Sequence, residues 1–360
     1  MYKYIQGCRA AAALFVVVYH LGLTLAREKY FGRDAFFLEK LFSFGTCGVA
    51  FFFVLSGFII TFIHQKDFGV PSRIFTYARK RVVRIYPSYI IIFTVVYLVA
   101  IAFSSTRNSV PHDAITLVKS ILLLPQDKNV EGAPVIVVAW TLQYEMIFYA
   151  AIGFAIINRY LFVGLILAFL FNFAICTHQS IIGVPQSFFA SNLIFLFLIG
   201  MLAAYSAKSK ITIKRPVLIS IVAGLAFLCL AVVDVVFGTK TIYLDRNLAY
   251  GIISCVLIVG LVRTEDSQIH DVKISKTIPL MGAASYALYL IHWPLISILC
   301  KLAIKVGLHG IYGALIAFVA ILAMCIFASL VFYFYVECPI LSRLSAPSRR
   351  LLLNNAKLKV

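Results

Sequence analysis

"GCRAAAALFVVVYHLG", residues 7–22, is an apolar run with a guanidinium near one end and an imidazole near the other. In an α-helix, eleven residues cover about three turns, so Arg9 and His20 share one face of this segment. At a rise of about 1.5 Å per residue, the two side chains are separated by roughly 16 Å along the axis. If Arg9 lies at one membrane surface, His20 lies past the middle of the hydrocarbon.

The whole chain has the composition of a polytopic membrane protein. Hydrophobic residues make up 62% and charged residues 13% of its 360 residues, whereas soluble domains are about half apolar and a quarter charged. We predict an all-α integral-membrane domain over residues 1–343 and a basic cytoplasmic tail over 344–360. About ten spans of roughly 20 residues fit this length; they are predicted at 8–26, 44–64, 85–103, 135–157, 160–177, 187–206, 216–236, 247–263, 278–300 and 311–335.

The charge pattern predicts how the chain is oriented. With the N-terminus inside, about two-thirds of the 32 lysines and arginines lie on the inner side, so both termini are predicted to be cytoplasmic. The net charge of +18 therefore fits an anionic membrane surface, and no nucleic-acid partner is expected. The eight cysteines are scattered without C-x-x-C spacing, so no metal site is expected. The segment 111–126 is too short to span and is predicted to be an outer interfacial or re-entrant helix.

Few ionisable groups fall at membrane depth, where each costs at least about 2.5 kcal/mol and is by default a functional candidate. His20 has the chemistry of a general base, although it could also hydrogen-bond a neighbouring helix as packing. Glu145, in "WTLQYEMIFY" (140–149), is the carboxylate nearest the centre of a predicted span. It could orient an imidazole, accept a proton or pair with an arginine.

Two further stretches carry clustered polar groups. In "RKRVVRIYP" (79–87), Arg79, Lys80, Arg81 and Arg84 could bind phosphates or simply anchor the helix on the inner side. In "SYALYLIHWPL" (285–295), the side chains of Ser285, Tyr289 and His292 give one helix face a polar character, either as a cavity wall or as a packed seam. Pro294 is predicted to kink the helix just beyond.

Two shorter features predict helix packing. Ser56–Gly57 in "FFFVLSGFII" (51–60) is a small-residue notch that allows close approach of a second helix. Glu337, at the inner end of the last span, is predicted to pair with Arg81 or Arg84 across the bundle.

In this order, the stretches resemble those of acyltransferase family 3, the bacterial integral-membrane transacylases. The resemblance covers residues 1 to about 343 and is carried by the ordered set of motifs, namely Arg9 with His20, "FFFVLSGFII", the R-x-x-R of Arg81 and Arg84, "WTLQYEMIFY", "SYALYLIHWPL" and the closing Glu337-x-Pro339. It implies about ten helices in the bacterial inner membrane. It also implies an acyl-coenzyme A donor, usually acetyl-coenzyme A, supplied from the cytoplasm. The acceptor would be a hydroxyl of O-antigen, exopolysaccharide or a lipid-linked sugar.

The resemblance and the chemistry together assign candidate roles. His20, Arg9 and Glu145 are predicted to be catalytic, with His20 as general base and Glu145 orienting it or relaying its proton. Arg79, Arg81 and Arg84 are predicted to bind acyl-coenzyme A, while the acceptor cavity is predicted to be lined by Trp140, Tyr144, Tyr289 and His292. No metal is expected, and the oligomeric state is left open. An acyl-histidine relay is a variant of the same chemistry.

Two other classes of function remain open on the sequence alone. A proton-coupled or lipid-linked-sugar transporter would also use deep His and Glu residues, although no inverted repeat is visible in the sequence. A non-catalytic scaffold for glycan assembly would tolerate changes at His20.

Overall fold

The structure, a computed structural model, describes residues 2–103, 110–126, 134–179, 186–209, 213–238, 245–267, 275 and 277–345. Within these residues the regular elements are all helical. The ten longest helices are α1 (Lys3–Leu25), α2 (Cys47–His64), α3 (Ile74–Ala102), α4 (Trp140–Ile157), α5 (Arg159–Gln179), α6 (Leu193–Lys208), α7 (Pro216–Phe237), α8 (Arg246–Asp266), α9 (Ser285–Lys305) and α10 (Gly310–Phe332). Five short helices accompany them: Phe36–Leu41, Ala114–Ile121, Gln186–Phe189, Thr277–Ala283 and Cys338–Ser345.

Each predicted span overlaps one of the ten long helices, although α3 begins at Ile74, well before its predicted span of 85–103. In the described ranges, nine candidate spans are long and apolar enough to cross a membrane, while α6 has only 16 residues. A helix of that length covers about 24 Å, slightly less than the hydrocarbon core. The prediction of an all-α polytopic membrane protein is confirmed. The predicted tail at 344–360 lies almost entirely outside the described residues.

Helix α1 lies between two apolar clusters and is therefore at the centre of the bundle. Its residues Ile5 and Ala12 belong to a cluster built mainly with α2, α3, α4 and α6. On another face, Val17 and Leu21 pack in a second cluster with α9 and α10. The side chains that α1 carries at positions 9 and 20 are thereby surrounded by other helices.

Glycines allow α2 and α6 to approach each other at the distance of backbone contact. A Cβ added at Gly57 would collide with the carbonyl oxygen of Phe197 and lie 3.1 Å from the Cα of Gly200. Without Cβ atoms the two backbones touch, which is how small residues hold helices together in lipid. The predicted packing notch at Gly57 is confirmed, and the neighbouring Ser56 is thereby held at a fixed place in the bundle.

The outer segment predicted at 111–126 contains the short helix Ala114–Ile121, which docks on α3 and α4 through polar contacts. The hydroxyl of Tyr89 donates to the carbonyl oxygen of Ser120 at 2.6 Å. The amide of Gln143 donates to Oε1 of Gln126 at 3.2 Å. A short, non-spanning helix at this position is confirmed.

Candidate active site

The polar faces of α1 and α9 pack against each other. Nη2 of Arg9 donates to Oγ of Ser285 at 3.1 Å. Further along the same pair of helices, Nδ1 of His20 lies 2.9 Å from Nε2 of His292. The residue nearer the start of α1 pairs with the residue nearer the start of α9, so the two helices run parallel. This is the direction expected of the first and ninth spans when successive spans alternate in direction.

The imidazole of His20 is held on three sides by aromatic rings. Its ring lies nearly parallel to that of His292, with ring centroids 5.1 Å apart, and meets Trp293 edge-to-face at 4.9 Å. The ring of Tyr19 lies 5.1 Å away. His292 itself is 0% exposed, and its Nδ1 lies 3.1 Å from the carbonyl oxygen of Leu288. Helix α9 continues through Pro294 to Lys305.

A cavity of about 1160 Å³ opens between α1, α2, α3, α4, α9 and the chain after α10. Among the described residues, its lining contains one acidic side chain, Glu145, and five basic ones, which are Arg9, Arg79, Lys80, Arg81 and Arg84. Its volume is slightly above the roughly 300–1,000 Å³ usual for ligand pockets. The three arginines predicted to contact acyl-coenzyme A therefore all line one cavity.

Each arginine of the predicted donor site is held differently. Nη2 of Arg79 donates to the carbonyl oxygen of Leu344 at 2.9 Å. The guanidinium of Arg81 lies over the rings of Tyr77 and Tyr149, at 5.9 Å and 5.7 Å from their centroids. These contacts fix the positions of Arg79 and Arg81, whereas Lys80 is exposed.

Arg84 forms the ion pair that the sequence predicted. Its Nη1 lies 2.8 Å from Oε1 of Glu337, and its guanidinium lies 5.3 Å from the ring centroid of Tyr286. Glu337 is 0% exposed and ends a π-helical turn, Tyr333–Glu337, that follows α10. Such turns insert an extra residue and redirect side chains, often at functional sites. Here the turn presents a carboxylate to α3.

Glu145 lines the cavity, but its hydrogen bonds lead away from His20. Its Oε1 accepts from the hydroxyl of Ser56 at 2.8 Å and from the hydroxyl of Tyr149 at 2.5 Å. The group hydrogen-bonded to the imidazole of His20 is His292. This geometry corrects the expectation that Glu145 orients His20, because the hydrogen bonds of Oε1 join it to α2 and to the next turn of α4, while the partner of His20 is His292.

The four residues predicted to line an acceptor cavity have different environments. Tyr289 lines the large cavity, and its hydroxyl is 2.7 Å from that of Thr141. Tyr144 is buried and stacks on Phe188 with centroids 4.0 Å apart. Trp140 lies edge-on to Tyr144 at 6.1 Å. Trp140 and Tyr144 are outside this cavity's lining, because the helical period turns them about 100° away from Thr141 and Glu145 around α4.

His292, the fourth of them, contacts His20 and lies one side chain away from the cavity. The ring of Tyr289 lies between His292 and the cavity, with its centroid 5.7 Å from that of His292. Sequence reasoning missed Tyr286, which lines the cavity and donates to the carbonyl oxygen of Ile85 at 3.0 Å. Only the packing of α9 on α3 identifies that residue, so no local pattern could have found it.

Fold and site together define a polytopic membrane protein whose cavity is strongly basic and lies beside a pair of histidines, the half-buried His20 and the buried His292. The family model described as an acyltransferase domain (Acyl_transf_3) matches residues 2–334. The chain belongs to this family, acyltransferase family 3, as the motifs predicted. It is 26% identical over 290 residues to "Exopolysaccharide production protein ExoZ" of Rhizobium meliloti (strain 1021), across 74% of this chain and 81% of ExoZ. No solved structure gives a significant match.

Proposed function

We propose that this protein transfers an acyl group, with acetyl as the expected one, from cytoplasmic acyl-coenzyme A to a hydroxyl of an exported polysaccharide or glycolipid. Exopolysaccharide and O-antigen are the acceptor classes expected. Membership of an acyltransferase family and similarity to a protein named for exopolysaccharide production support this proposal. The observation that carries it is that one cavity is lined both by the basic cluster and by Tyr289, the neighbour of the histidine pair.

The basic end of the cavity suits the anionic end of coenzyme A. Arg79 and Lys80 are exposed at the start of α3, where phosphates would arrive from the cytoplasm. Guanidinium groups form forked hydrogen bonds with phosphate oxygens, and such charge-assisted bonds are about twice as strong as neutral ones. Orientation by the positive-inside rule supports placing this end at the cytoplasmic face of the bacterial inner membrane.

The apolar part of the cavity suits the pantetheine arm. Phe52 and Ile59 of α2 line it on the way from the basic cluster towards Tyr289. The thioester must then pass the ring of Tyr289 to meet His20. An acceptor hydroxyl would approach His20 from the outer side, where α1 ends at Leu25. Donor and acceptor thus reach the imidazole from opposite faces of the membrane.

In this mechanism, His20 removes the proton of the acceptor hydroxyl as the oxygen attacks the thioester carbonyl. General-base assistance of this kind contributes about 10²–10⁴-fold. Arg9, whose guanidinium lines the cavity and is fixed by Ser285, supplies positive charge for the developing oxyanion.

The test is His20→Ala in purified protein reconstituted into vesicles, with labelled acetyl-coenzyme A and a surface polysaccharide fraction of the host. We expect transfer of label to the glycan to fall at least about 100-fold, with protein level and insertion unchanged. His309→Ala is the matched control, because His309 is exposed in the connection between α9 and α10. Wild-type transfer by His20→Ala would refute the proposed mechanism.

A further inference from the structure

The histidine pair fixes which nitrogen of His20 is the base. Nδ1 of His292 lies 3.1 Å from the carbonyl oxygen of Leu288. A carbonyl oxygen only accepts hydrogen bonds, so Nδ1 of His292 carries a hydrogen. In a neutral imidazole the other nitrogen is then an acceptor.

Burial favours the neutral form of His292. Its side chain is 0% exposed, and a charge placed there without a counterion is costly. Among the described residues, neither imidazole hydrogen-bonds a carboxylate, since their partners are each other and the carbonyl oxygen of Leu288. Nε2 of His292 therefore presents a lone pair to His20.

The consequence passes directly to His20. Its Nδ1 lies 2.9 Å from Nε2 of His292, and a hydrogen bond at that distance needs one hydrogen. Because Nε2 of His292 supplies the lone pair, Nδ1 of His20 supplies the hydrogen. Nε2 of His20 is then the unprotonated nitrogen.

We propose that His292 is a positioning residue that holds His20 in its Nδ1–H tautomer, so that Nε2 is the general base. The inference rests on the proposed function and assigns His292 a role other than lining an acceptor cavity. Tautomer control by a hydrogen-bonded partner is a known requirement of histidine bases, and loss of it costs up to about 10⁴-fold in the best-studied triad. Here the partner is a neutral imidazole in place of a carboxylate.

The proton balance of the step is complete. Nε2 of His20 takes the proton of the acceptor hydroxyl while the hydroxyl oxygen bonds to the thioester carbonyl carbon. When the tetrahedral intermediate collapses, the carbon–sulfur bond breaks and the same proton passes to the coenzyme A sulfur. His292 keeps its hydrogen throughout, because its Nδ1–H faces only a carbonyl oxygen, and it orients His20 without acting as a relay.

Two substitutions at His292 separate positioning from packing. In His292→Gln, the amide oxygen falls near the position of the imidazole Nε2 and accepts from His20. In His292→Asn, the shorter amide reaches only the position of Nδ1, so it satisfies Leu288 and leaves His20 without a partner. We expect Gln to retain at least about a tenth of wild-type kcat and Asn to lose about 100-fold or more. The KM for acyl-coenzyme A should be unchanged in both, because His292 does not line the donor cavity.

Equal kcat values for the Gln and Asn variants, both close to wild type, would overturn the inference. A second measurement covers the case in which both variants misfold. Nitrogen-15 NMR of the imidazoles in the full wild-type chain should show a protonated Nδ1 and an unprotonated Nε2 for His20; the opposite tautomer would overturn the inference. His20→Ala tests the proposed function separately. If His20→Ala is inactive while both His292 variants keep wild-type activity, only the positioning role of His292 is rejected.

Discussion

Arg84 is predicted to have two separable roles, and a double substitution distinguishes them. It forms the 2.8 Å ion pair with Glu337 and is proposed to bind a phosphate of the donor. Replacing Arg84 by Met leaves the fully buried Glu337 carboxylate without its partner. Breaking a buried pair costs about 3–5 kcal/mol. Because the Arg84 side chain is 33% exposed, water screens the pair and we expect the lower end, about 3 kcal/mol.

The double variant Arg84→Met with Glu337→Met should recover most of this stability. Replacing both members of a buried pair by apolar groups of similar volume is often neutral or stabilising. Affinity for acyl-coenzyme A should stay low, however, since one charge-assisted hydrogen bond of about 1.5–3 kcal/mol is missing. That loss corresponds to about 10- to 150-fold in Kd. The single variant Glu337→Gln keeps Arg84 in place and should bind at least as tightly as wild type.

Thermal unfolding in detergent and calorimetric titration with acetyl-coenzyme A measure the two roles side by side. Recovery of both stability and wild-type affinity in the double variant would refute the phosphate-binding role and leave Arg84 as a structural residue. A loss of affinity no larger than the loss of folded protein would also refute the phosphate-binding role of Arg84.

Two further predictions concern the packing of α2 and the hydrogen bonds of Glu145. Gly57→Ala should destabilise the protein by about 2 kcal/mol, because the new methyl overlaps the Phe197 carbonyl and backbone atoms cannot rotate away. The control is Gly164→Ala, whose new methyl would have nothing within 4 Å. It should be neutral or stabilising by up to about 1 kcal/mol. An unfolding temperature for Gly57→Ala at or above that of the control would contradict this. Glu145→Ala should destabilise by about 1–3 kcal/mol because it strands the Tyr149 hydroxyl, whereas Glu145→Gln retains an acceptor there; equal unfolding temperatures for the two would contradict it.

The features that sequence predicted correctly follow from helical period and from the cost of burying charge. The period places Arg9 with His20 on α1 and Ser285 with His292 on α9, so the spacing of these residues along the chain is enough to predict both polar faces. A buried carboxylate near a basic cluster needs a partner, which predicts the pair of Glu337 with an arginine. These arguments use only neighbours along one helix or the charge balance of the whole bundle.

The features that sequence did not predict depend on which helix each face meets. The period groups Trp140 with Tyr144 on one side of α4 and Thr141 with Glu145 on another, but both sides carry polar groups. Nothing in such a helix marks the side that looks into the cavity. The choice of His292 over Glu145 as partner of His20 likewise depends on the packing of α9 against α1, which brings two distant segments together.

The pairing of α1 with α9 also shortens the axial distance between the charge of Arg9 and the two histidines. Along α1, eleven residues separate Arg9 from His20 by roughly 16 Å, whereas seven residues on α9 separate Ser285 from His292 by only about 10 Å. The guanidinium of Arg9 donates to Ser285. Along the helix axes, its charge therefore lies closer to the level of Ser285 than to the level of the Arg9 Cα. On the proposed function, this brings the charge of Arg9 closer to the thioester end of the donor than its own Cα is, while the exposed residues at the start of α3 are better placed to bind the phosphates.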